Sequence, residues 1–160
     1  MALLTIRVYG IPAPQGSKRS LGNGIMVESS LRVKPWRQDV KEAAWLAWHD
    51  FLTEPKGERV ITFPVFISFE FLFPRPKSHF GTGKNASKLK PSAPYFVTSQ
   101  QKGDLEKLMR STNDALSVSS GGCVLHDDRL VAQTTAVKRY CDDKGELPGA
   151  IIKIEALPSC

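Results

Sequence analysis

Apolar and polar residues alternate along several short segments of the chain, which is the pattern of β-strands that bury one face. The clearest segment covers residues 61–73, where seven apolar side chains occupy the odd positions and are predicted to face the core. Pro64 is expected to place the near end of this strand at a sheet edge or a bulge. Shorter strands are predicted at residues 5–9, 24–28, 130–140 and 150–157.

Two other segments repeat apolar residues every three or four positions, which predicts helices with one buried face. The first is predicted to begin at Lys34-Pro35, because proline is favoured at the first helical position, and to end before residue 55. Its predicted buried stripe consists of Trp36, Val40, Ala43, Ala47 and Phe51. The second helix is predicted over residues 104–116, with a buried face formed by Leu105, Leu108, Met109, Thr112 and Leu116.

Two segments without apolar periodicity are predicted to be loops. Residues 10–19 contain two prolines and two glycines and end in a basic stretch. Residues 74–102 are rich in proline, glycine, serine and lysine and contain no acidic residue; Phe80, Tyr95 and Phe96 are interleaved among the basic side chains. Long loops are usually functional or disordered. A solvated insertion is one interpretation of this loop, and contact with a phosphate backbone is the favoured one.

The predicted strands outnumber the predicted helices and come in groups rather than in strict alternation with them. This order favours the α+β class, with a mixed, mostly antiparallel sheet and two helices. The chain has 160 residues and shows neither an internal repeat nor a linker. One domain over residues 1–160 is therefore expected, with the basic loop at about residues 74–102.

The composition narrows the class of protein. Hydrophobic residues make up 41% and charged residues 24% of the chain, which indicates a globular protein rather than a disordered one. No apolar run is long enough to cross a bilayer, and the first residues lack the basic region of a secretory signal peptide, so a cytoplasmic protein without membrane association is expected. The three cysteines are odd in number and widely spaced, which argues against a disulfide framework or a zinc site.

The net charge adds a partner to this picture. The formal charge is +6 and the isoelectric point is near 9.3, and a basic protein attracts polyanions, of which nucleic acid is the commonest. The side chains predicted to contact DNA are the basic residues of the two loops, namely Lys18, Arg19, Arg75, Lys77, Lys84, Lys88, Lys90 and Lys102.

Two pairs of acidic residues stand where predicted elements begin. Asp104 and Glu106 lie where the basic loop enters the second helix, and Asp127 and Asp128 precede a predicted strand. Carboxylates brought together repel one another, and a divalent cation removes that repulsion. Oxygen ligands favour Mg²⁺ or Mn²⁺ over zinc, and such an ion activates water for phosphodiester cleavage. Taken singly, the same four residues also fit a helix cap, an exposed first turn and ordinary turn positions.

Several short motifs follow one another in the second half of the chain. They are Lys-Gly-Asp-Leu-Glu-Lys-Leu-Met-Arg at residues 102–110, Asp-Ala-Leu at 114–116, Val-Leu-His-Asp-Asp-Arg-Leu-Val at 124–131 and Lys-Arg-Tyr at 138–140. In this order they resemble the signature of the RusA family of Holliday-junction resolvases. That signature is an Asp-x-Asp-Asn-Leu-x-Lys run, then Asp-Ala-Leu, then Asp-Asp before a strand. A looser similarity includes the Ile-Pro-Ala-Pro segment at residues 11–14.

The resemblance implies a homodimeric α+β enzyme that acts in recombination and repair. Such an enzyme cuts four-way DNA junctions with paired symmetric nicks, using Mg²⁺ or Mn²⁺ held by acidic residues. By position, Asp104, Glu106 and Asp128 match the metal-binding acids, and Arg110 matches the catalytic lysine. Asp127, which we include with the metal-binding acids, and Asp114 match motif residues with supporting roles.

Three positions depart from the family pattern. Glu106 replaces an aspartate, which keeps an oxygen ligand but lengthens it by one methylene; Lys107 replaces an asparagine, and Arg110 replaces the lysine. Arginine clamps a phosphate through two N–H groups, but it does not donate a proton at neutral pH. Lys107 is therefore included among the candidate catalytic residues, because it stands close enough in sequence to take over a proton transfer.

Two further hypotheses belong to other classes. The chain is a non-catalytic basic DNA-binding module if the acidic residues are only caps and turns, and its binding would then be indifferent to magnesium. It is a related nuclease if the same phosphate chemistry is applied to RNA, flaps or other branched DNA. No P-loop, dinucleotide-binding glycine pattern or Ser/His/Asp set is present in the sequence, so no small-molecule cofactor is expected.

Overall fold

The computed structural model describes residues 2–16, 18–28, 31–52 and 59–158, with the backbone only at residues 18, 19 and 26–28. Within these ranges, the elements longer than a single turn are two helices and six strands. In chain order they are β1 (Leu4–Tyr9), β2 (Lys18–Ser20), β3 (Met26–Glu28), α1 (Val33–Phe51), β4 (Val65–Phe73), α2 (Leu105–Leu116), β5 (Val131–Tyr140) and β6 (Gly149–Ala156). Among the described residues, neither helix combines the length and apolar character needed to cross a membrane.

Four of the strands form one sheet in the order β1-β6-β4-β5. Strand β6 pairs antiparallel with both β1 and β4, whereas β5 runs parallel to β4. Strands β2 and β3 form a separate antiparallel hairpin. The α+β class is therefore confirmed, with two helices and a mixed, mostly antiparallel sheet.

Both helices are joined to the sheet through one hydrophobic core, which α1 reaches by packing against β1 and α2 by packing against β5. Polar contacts fix one helix against the other. The indole Nε1 of Trp36 donates a 3.0 Å hydrogen bond to Thr112 Oγ1, and Arg37 Nη2 lies 2.7 Å from Asp114 Oδ2. Asp114, from the Asp-Ala-Leu motif, thus joins α2 to α1.

The strand predicted over residues 61–73 is shorter at its near end. Strand β4 begins at Val65, and its odd-numbered residues are buried as predicted. Ile61 is also buried, but in an isolated bridge with Leu125, and Phe63 is 42% exposed, so its predicted core position is wrong. Proline has no N–H for a strand ladder, and the carbonyl of Pro64 accepts a bond from Leu157 N at the end of the sheet.

The buried faces of the helices differ in part from the predicted ones. In α1, Ala44 and Trp48 are buried, Ala43 and Ala47 only partly, and Phe51 is 43% exposed. The buried stripe advances by four residues at each step, from Trp36 and Val40 to Ala44 and Trp48. The predicted stripe departed from it by one position after Val40. In α2 the predicted Leu108, Thr112 and Leu116 are buried, together with Ser111 and Ala115, whereas Leu105 and Met109 are only partly buried.

The two predicted loops contain more structure than their composition indicates. The end of the 10–19 segment belongs to β2, which pairs with the strand expected at 24–28. The 74–102 loop contains three single 3₁₀ turns and a bridge between Phe80 and Leu89. A second bridge, between Phe96 and Arg139, attaches the loop to β5. Contacts between residues far apart in sequence therefore order this loop.

Candidate functional site

Asp104 is placed at the start of α2 by the residue before it. Gly103 has φ +85°, a conformation that favours glycine, and a Cβ there would overlap the Pro14 ring. Its carbonyl accepts a 2.7 Å hydrogen bond from Lys138 Nζ on β5. Asp104 occupies the N-cap position, yet its side chain makes no capping hydrogen bond and is 76% exposed. The carboxylate is therefore open to solvent rather than committed to the helix.

The segment after β1 supports the first turns of α2 from the other side. Gln15 N donates a 3.0 Å hydrogen bond to Lys107 O, and Ser111 Oγ donates a 2.7 Å bond to Ala13 O. Ala13 is completely buried. The Gln15 Oε1 atom is buried and has no hydrogen-bond partner among the described residues. This segment and Lys138 together hold the beginning of α2 in one place relative to the sheet.

The exposed side of α2 carries the other predicted residues of that motif. Glu106, Lys107 and Arg110 are exposed, and Glu106 lies in the first turn of the helix. Glu106 and Arg110 are one helical turn apart and share a face. Lys107 Nζ lies 3.7 Å from Asp104 Oδ2. Because both side chains are more than half exposed, this pair is held weakly and both groups are available to a ligand.

The second acidic pair lies at a single 3₁₀ turn just before β5. Asp127 precedes the turn and its Oδ1 accepts a 3.0 Å hydrogen bond from Arg129 N. That bond lowers the pKa of the Asp127 carboxyl, and the nearby Arg129 charge acts in the same direction. The alternative expected from sequence, a turn residue, thus describes Asp127. Asp128 belongs to the turn itself and is exposed.

Helix α2 packs against both this turn and β5, so the two acidic pairs lie on neighbouring elements. Thr134 Oγ1 approaches Met109 Sδ at 3.9 Å across this contact. Over the described ranges, no three His, Cys, Asp or Glu side chains form a group that could hold a metal ion. Within these ranges the fold therefore brings together the elements that carry the two acidic pairs, but the carboxylates themselves do not converge into a metal-binding group. Its donors are carboxylate oxygens, mostly on exposed side chains that are free to move, and this set suits a hard divalent cation.

The predicted DNA-contacting residues whose side chains the structure describes divide into three groups. Arg75 and Lys90 are engaged within the loop: Arg75 Nε and Nη1 donate 2.8 Å hydrogen bonds to Cys141 O and Pro94 O, and Lys90 Nζ donates a 3.0 Å bond to Ser78 O. Lys102 is half-buried, with its ammonium 5.9 Å from the centroid of the Phe73 ring. Exposed positions hold Lys77, Lys84 and Lys88. The side chains of Lys18 and Arg19 lie outside the described part of the chain.

Sequence reasoning missed two residues that position the site, Lys138 and Gln15. The sequence did contain a signal for Lys138. This residue lies two positions from both Ala136 and Tyr140 and so shares their face of the strand, and a lysine on the helix-facing side of a strand needs a partner. For Gln15 no signal was available, since its partner lies on a helix about ninety residues away in the chain.

Exposed carboxylates at the start of a helix, a lysine-rich loop and a net positive charge together define a protein that acts on nucleic acid. The sequence matches the family described as Endodeoxyribonuclease RusA over residues 11–155. The chain therefore belongs to the RusA endodeoxyribonuclease family. No curated protein matches it.

Family membership identifies the activity at a coarse level. The chain is an endodeoxyribonuclease, a hydrolase of the class that resolves Holliday junctions, and its family acts on branched DNA junctions. Nucleases of this family depend on divalent metals in general.

Proposed function

We propose that this chain is a metal-dependent, structure-specific endonuclease that resolves four-way DNA junctions by paired symmetric nicks in recombination and repair. The observation that carries the proposal is the position of Asp104. It stands at the N-cap of α2 with its carboxylate 76% exposed and free of capping hydrogen bonds. A capping role leaves this geometry unexplained, because a capping aspartate accepts bonds from the first helical N–H groups.

The metal in this proposal is Mg²⁺ or Mn²⁺, and Asp104, Glu106 and Asp128 would hold it, with Asp127 beside them. When bound, such an ion activates water and neutralises the charge that develops on the phosphate. Asp127 is the most constrained of the four, since Arg129 N holds its Oδ1. The N-terminal end of α2 adds a positive potential that favours anionic ligands at this position.

Lys107 and Arg110 are the cationic side chains of the proposed site. The guanidinium of Arg110 is suited to clamp a phosphate through two N–H groups. Lys107 pairs only weakly with Asp104, so its ammonium would be available to hold or donate a proton near the leaving oxygen.

The exposed lysines of the 74–102 loop are proposed to follow the DNA backbone. Lys77, Lys84 and Lys88 are the main candidates in the described part of the loop, and Lys102 adds charge two residues before Asp104. The hairpin residues Lys18 and Arg19 are retained as DNA contacts in the proposal. Arg75 and Lys90 have a supporting role instead, because their charged groups bind carbonyls that order the loop.

A homodimer completes the proposal, with the protein acting in the cytoplasm. A four-way junction has two strands of the same polarity that must be cut symmetrically, and a two-fold dimer presents two identical sites in the matching arrangement. The symmetry of the substrate, rather than a contact surface, supports this part.

The test compares a labelled four-way junction with a linear duplex of the same sequence in Mg²⁺, Mn²⁺ or EDTA. We expect symmetric nicks near the branch point of the junction, in either metal and not in EDTA, with the duplex left intact. Tight junction binding without cutting in either metal would favour the DNA-binding module. Equal cutting of the duplex, or of flap and RNA substrates tested beside it, would favour a nuclease of different substrate choice.

A further inference from the structure

Two neighbouring aromatic side chains of the 74–102 loop are exposed although the core is close by. Tyr95 is 55% and Phe96 is 57% exposed, and their rings meet edge to face with centroids 4.8 Å apart and planes at 86°. Neither the hydrophobic core nor the proposed phosphate chemistry uses them. The exposure of aromatic faces of this size to water is unfavourable in free energy, so a pair of them indicates a binding surface.

The backbone holds this pair rigidly at the edge of the sheet. Tyr95 O accepts a 2.9 Å hydrogen bond from Tyr140 N, and Val97 N donates a 3.1 Å bond to Lys138 O. Phe96 is the bridge partner of Arg139, and Val97 is buried in the core. The segment is in effect a short added strand beside β5, so its rings keep their place without a ligand.

The same lysine connects the aromatic pair to the acidic site. Lys138 O binds Val97 N, and Lys138 Nζ binds Gly103 O, the carbonyl immediately before Asp104. Lys138 of β5 thus binds both the short strand that carries the rings and Gly103, the residue that positions Asp104.

The surroundings of the rings select the class of partner. Residues 74–102 contain no acidic side chain, and Lys102 and the exposed Lys77 carry charge on the same loop. Glu70 and Glu146 are both ion-paired with the Arg139 guanidinium, which also lies 5.8 Å from the Tyr95 ring centroid. Aromatic faces among cations fit nucleobases, which stack on the rings while phosphates meet the lysines.

We propose that Tyr95 and Phe96 form a stacking platform for bases that are unstacked at the branch point of the DNA. This inference rests on the proposed function and adds a recognition element to it. Bases in a continuous duplex already stack on their neighbours, so stacking on protein requires that they first be unstacked. At a branch point the continuous stack is interrupted, and bases there reach the platform at lower cost. The platform therefore favours branched over linear DNA.

The test measures binding of a four-way junction and of a continuous duplex by fluorescence anisotropy in EDTA, where no strand is cut. We expect Tyr95→Ala and Phe96→Ala each to weaken junction binding about 5- to 150-fold, the range of base–aromatic stacking, with little change for the duplex. Phe96→Trp should retain junction affinity, whereas Phe96→Leu, which is apolar without a ring, should not. Phe63→Ala is the matched control, since Phe63 is an exposed phenylalanine before the opposite end of β4.

A second arm separates stacking from any other use of the rings. Abasic sites at the branch point should weaken binding by the wild-type protein, and Phe96→Ala should lose almost nothing further on that junction, because the contact is already absent. Additive losses, or equal losses for junction and duplex, would overturn the platform. A changed oligomeric state of Phe96→Ala in sedimentation would also overturn it and assign the rings to a protein interface. Metal-dependent junction cutting by the wild type is scored separately, so either idea can fail alone.

Discussion

Gly103 holds Asp104 in its position at the start of α2. The backbone conformation of Gly103 and the atoms around it both exclude a side chain. The residue has φ +85° and packs against Pro14, while its carbonyl is bound to Lys138. A change of one methyl group at this position therefore tests whether the start of α2 has to be held in place.

We predict that Gly103→Ala lowers both stability and junction cutting. The new Cβ overlaps Pro14 and a left-handed residue gains a side chain, so the change should cost more than the roughly 1–3 kcal/mol of backbone strain alone. Gly145→Ala is the matched control, because Gly145 has φ +86° but open space around it. Thermal unfolding and cutting rates measure the two effects. Equal losses in both variants would show that contact with Pro14 is unimportant.

A second prediction at this scale concerns Arg139, which binds Glu146 through two 2.7 Å contacts and Glu70 through one of 2.5 Å. The Arg139 hydrogen bonds lower the pKa of Glu146 from 4.5 to about 2. A depressed carboxyl pKa stabilises the fold above the unfolded value and loses that contribution as pH falls towards 2. Glu146→Gln should therefore cost up to about 3 kcal/mol at pH 7.

The stability difference between wild type and Glu146→Gln should shrink as pH falls from about 5 to about 2, in the window between the two pKa values. Chemical denaturation at several pH values measures it, and Glu155→Gln on β6 serves as the control. A difference that stays constant across this window would contradict the assignment of the low pKa to Glu146.

At the scale of elements, the site depends on how α2 is tied to β5 and to the segment after β1. Lys138→Met removes the ammonium that binds Gly103 O but keeps most of the apolar stem. We predict a stability loss of about 1.5–3 kcal/mol, the cost of one charged hydrogen bond, with a larger effect on the cutting rate at saturating DNA than on junction affinity. Lys153→Met, at an exposed position on β6, is the control. A loss confined to affinity would indicate a DNA contact instead of a positioning role.

Elements whose pattern is local were predictable from the sequence. The alternation at 65–73 defines β4, and the spacing of Leu108, Thr112 and Leu116 defines the buried face of α2. The structure inside the 74–102 loop was not predictable, because Phe96 and Arg75 bind residues of β5 and its end. The acidic residues were predicted from their positions at the start of elements and from the order of motifs, whereas the packing of α2 against the turn at Asp128 needed the fold itself.

At the scale of the whole molecule, the charge of +6 makes DNA binding depend on salt. Each lysine that neutralises one phosphate contributes about 0.9 to the slope of log affinity against log salt concentration. We predict that Lys84→Gln with Lys88→Gln reduces this slope by about 2 for junction and duplex alike. Lys144→Gln, in the exposed turn between β5 and β6, should leave it unchanged. An unchanged slope in the double variant would remove these two lysines from the DNA path.

The central claim is that the carboxylate of Asp104 serves metal-dependent cutting rather than the start of a helix. The most direct measurement is the junction cutting rate of Asp104→Asn in Mg²⁺ and Mn²⁺, beside Asp143→Asn, which changes an exposed acid of a distant turn in the same way. Asparagine caps helices as well as aspartate does, so both variants should have the melting temperature of the wild type. We expect cutting to fall by about 100-fold or more in Asp104→Asn alone, with junction binding retained. Cutting at the wild-type rate by Asp104→Asn, with the same dependence on metal, would contradict the proposed site.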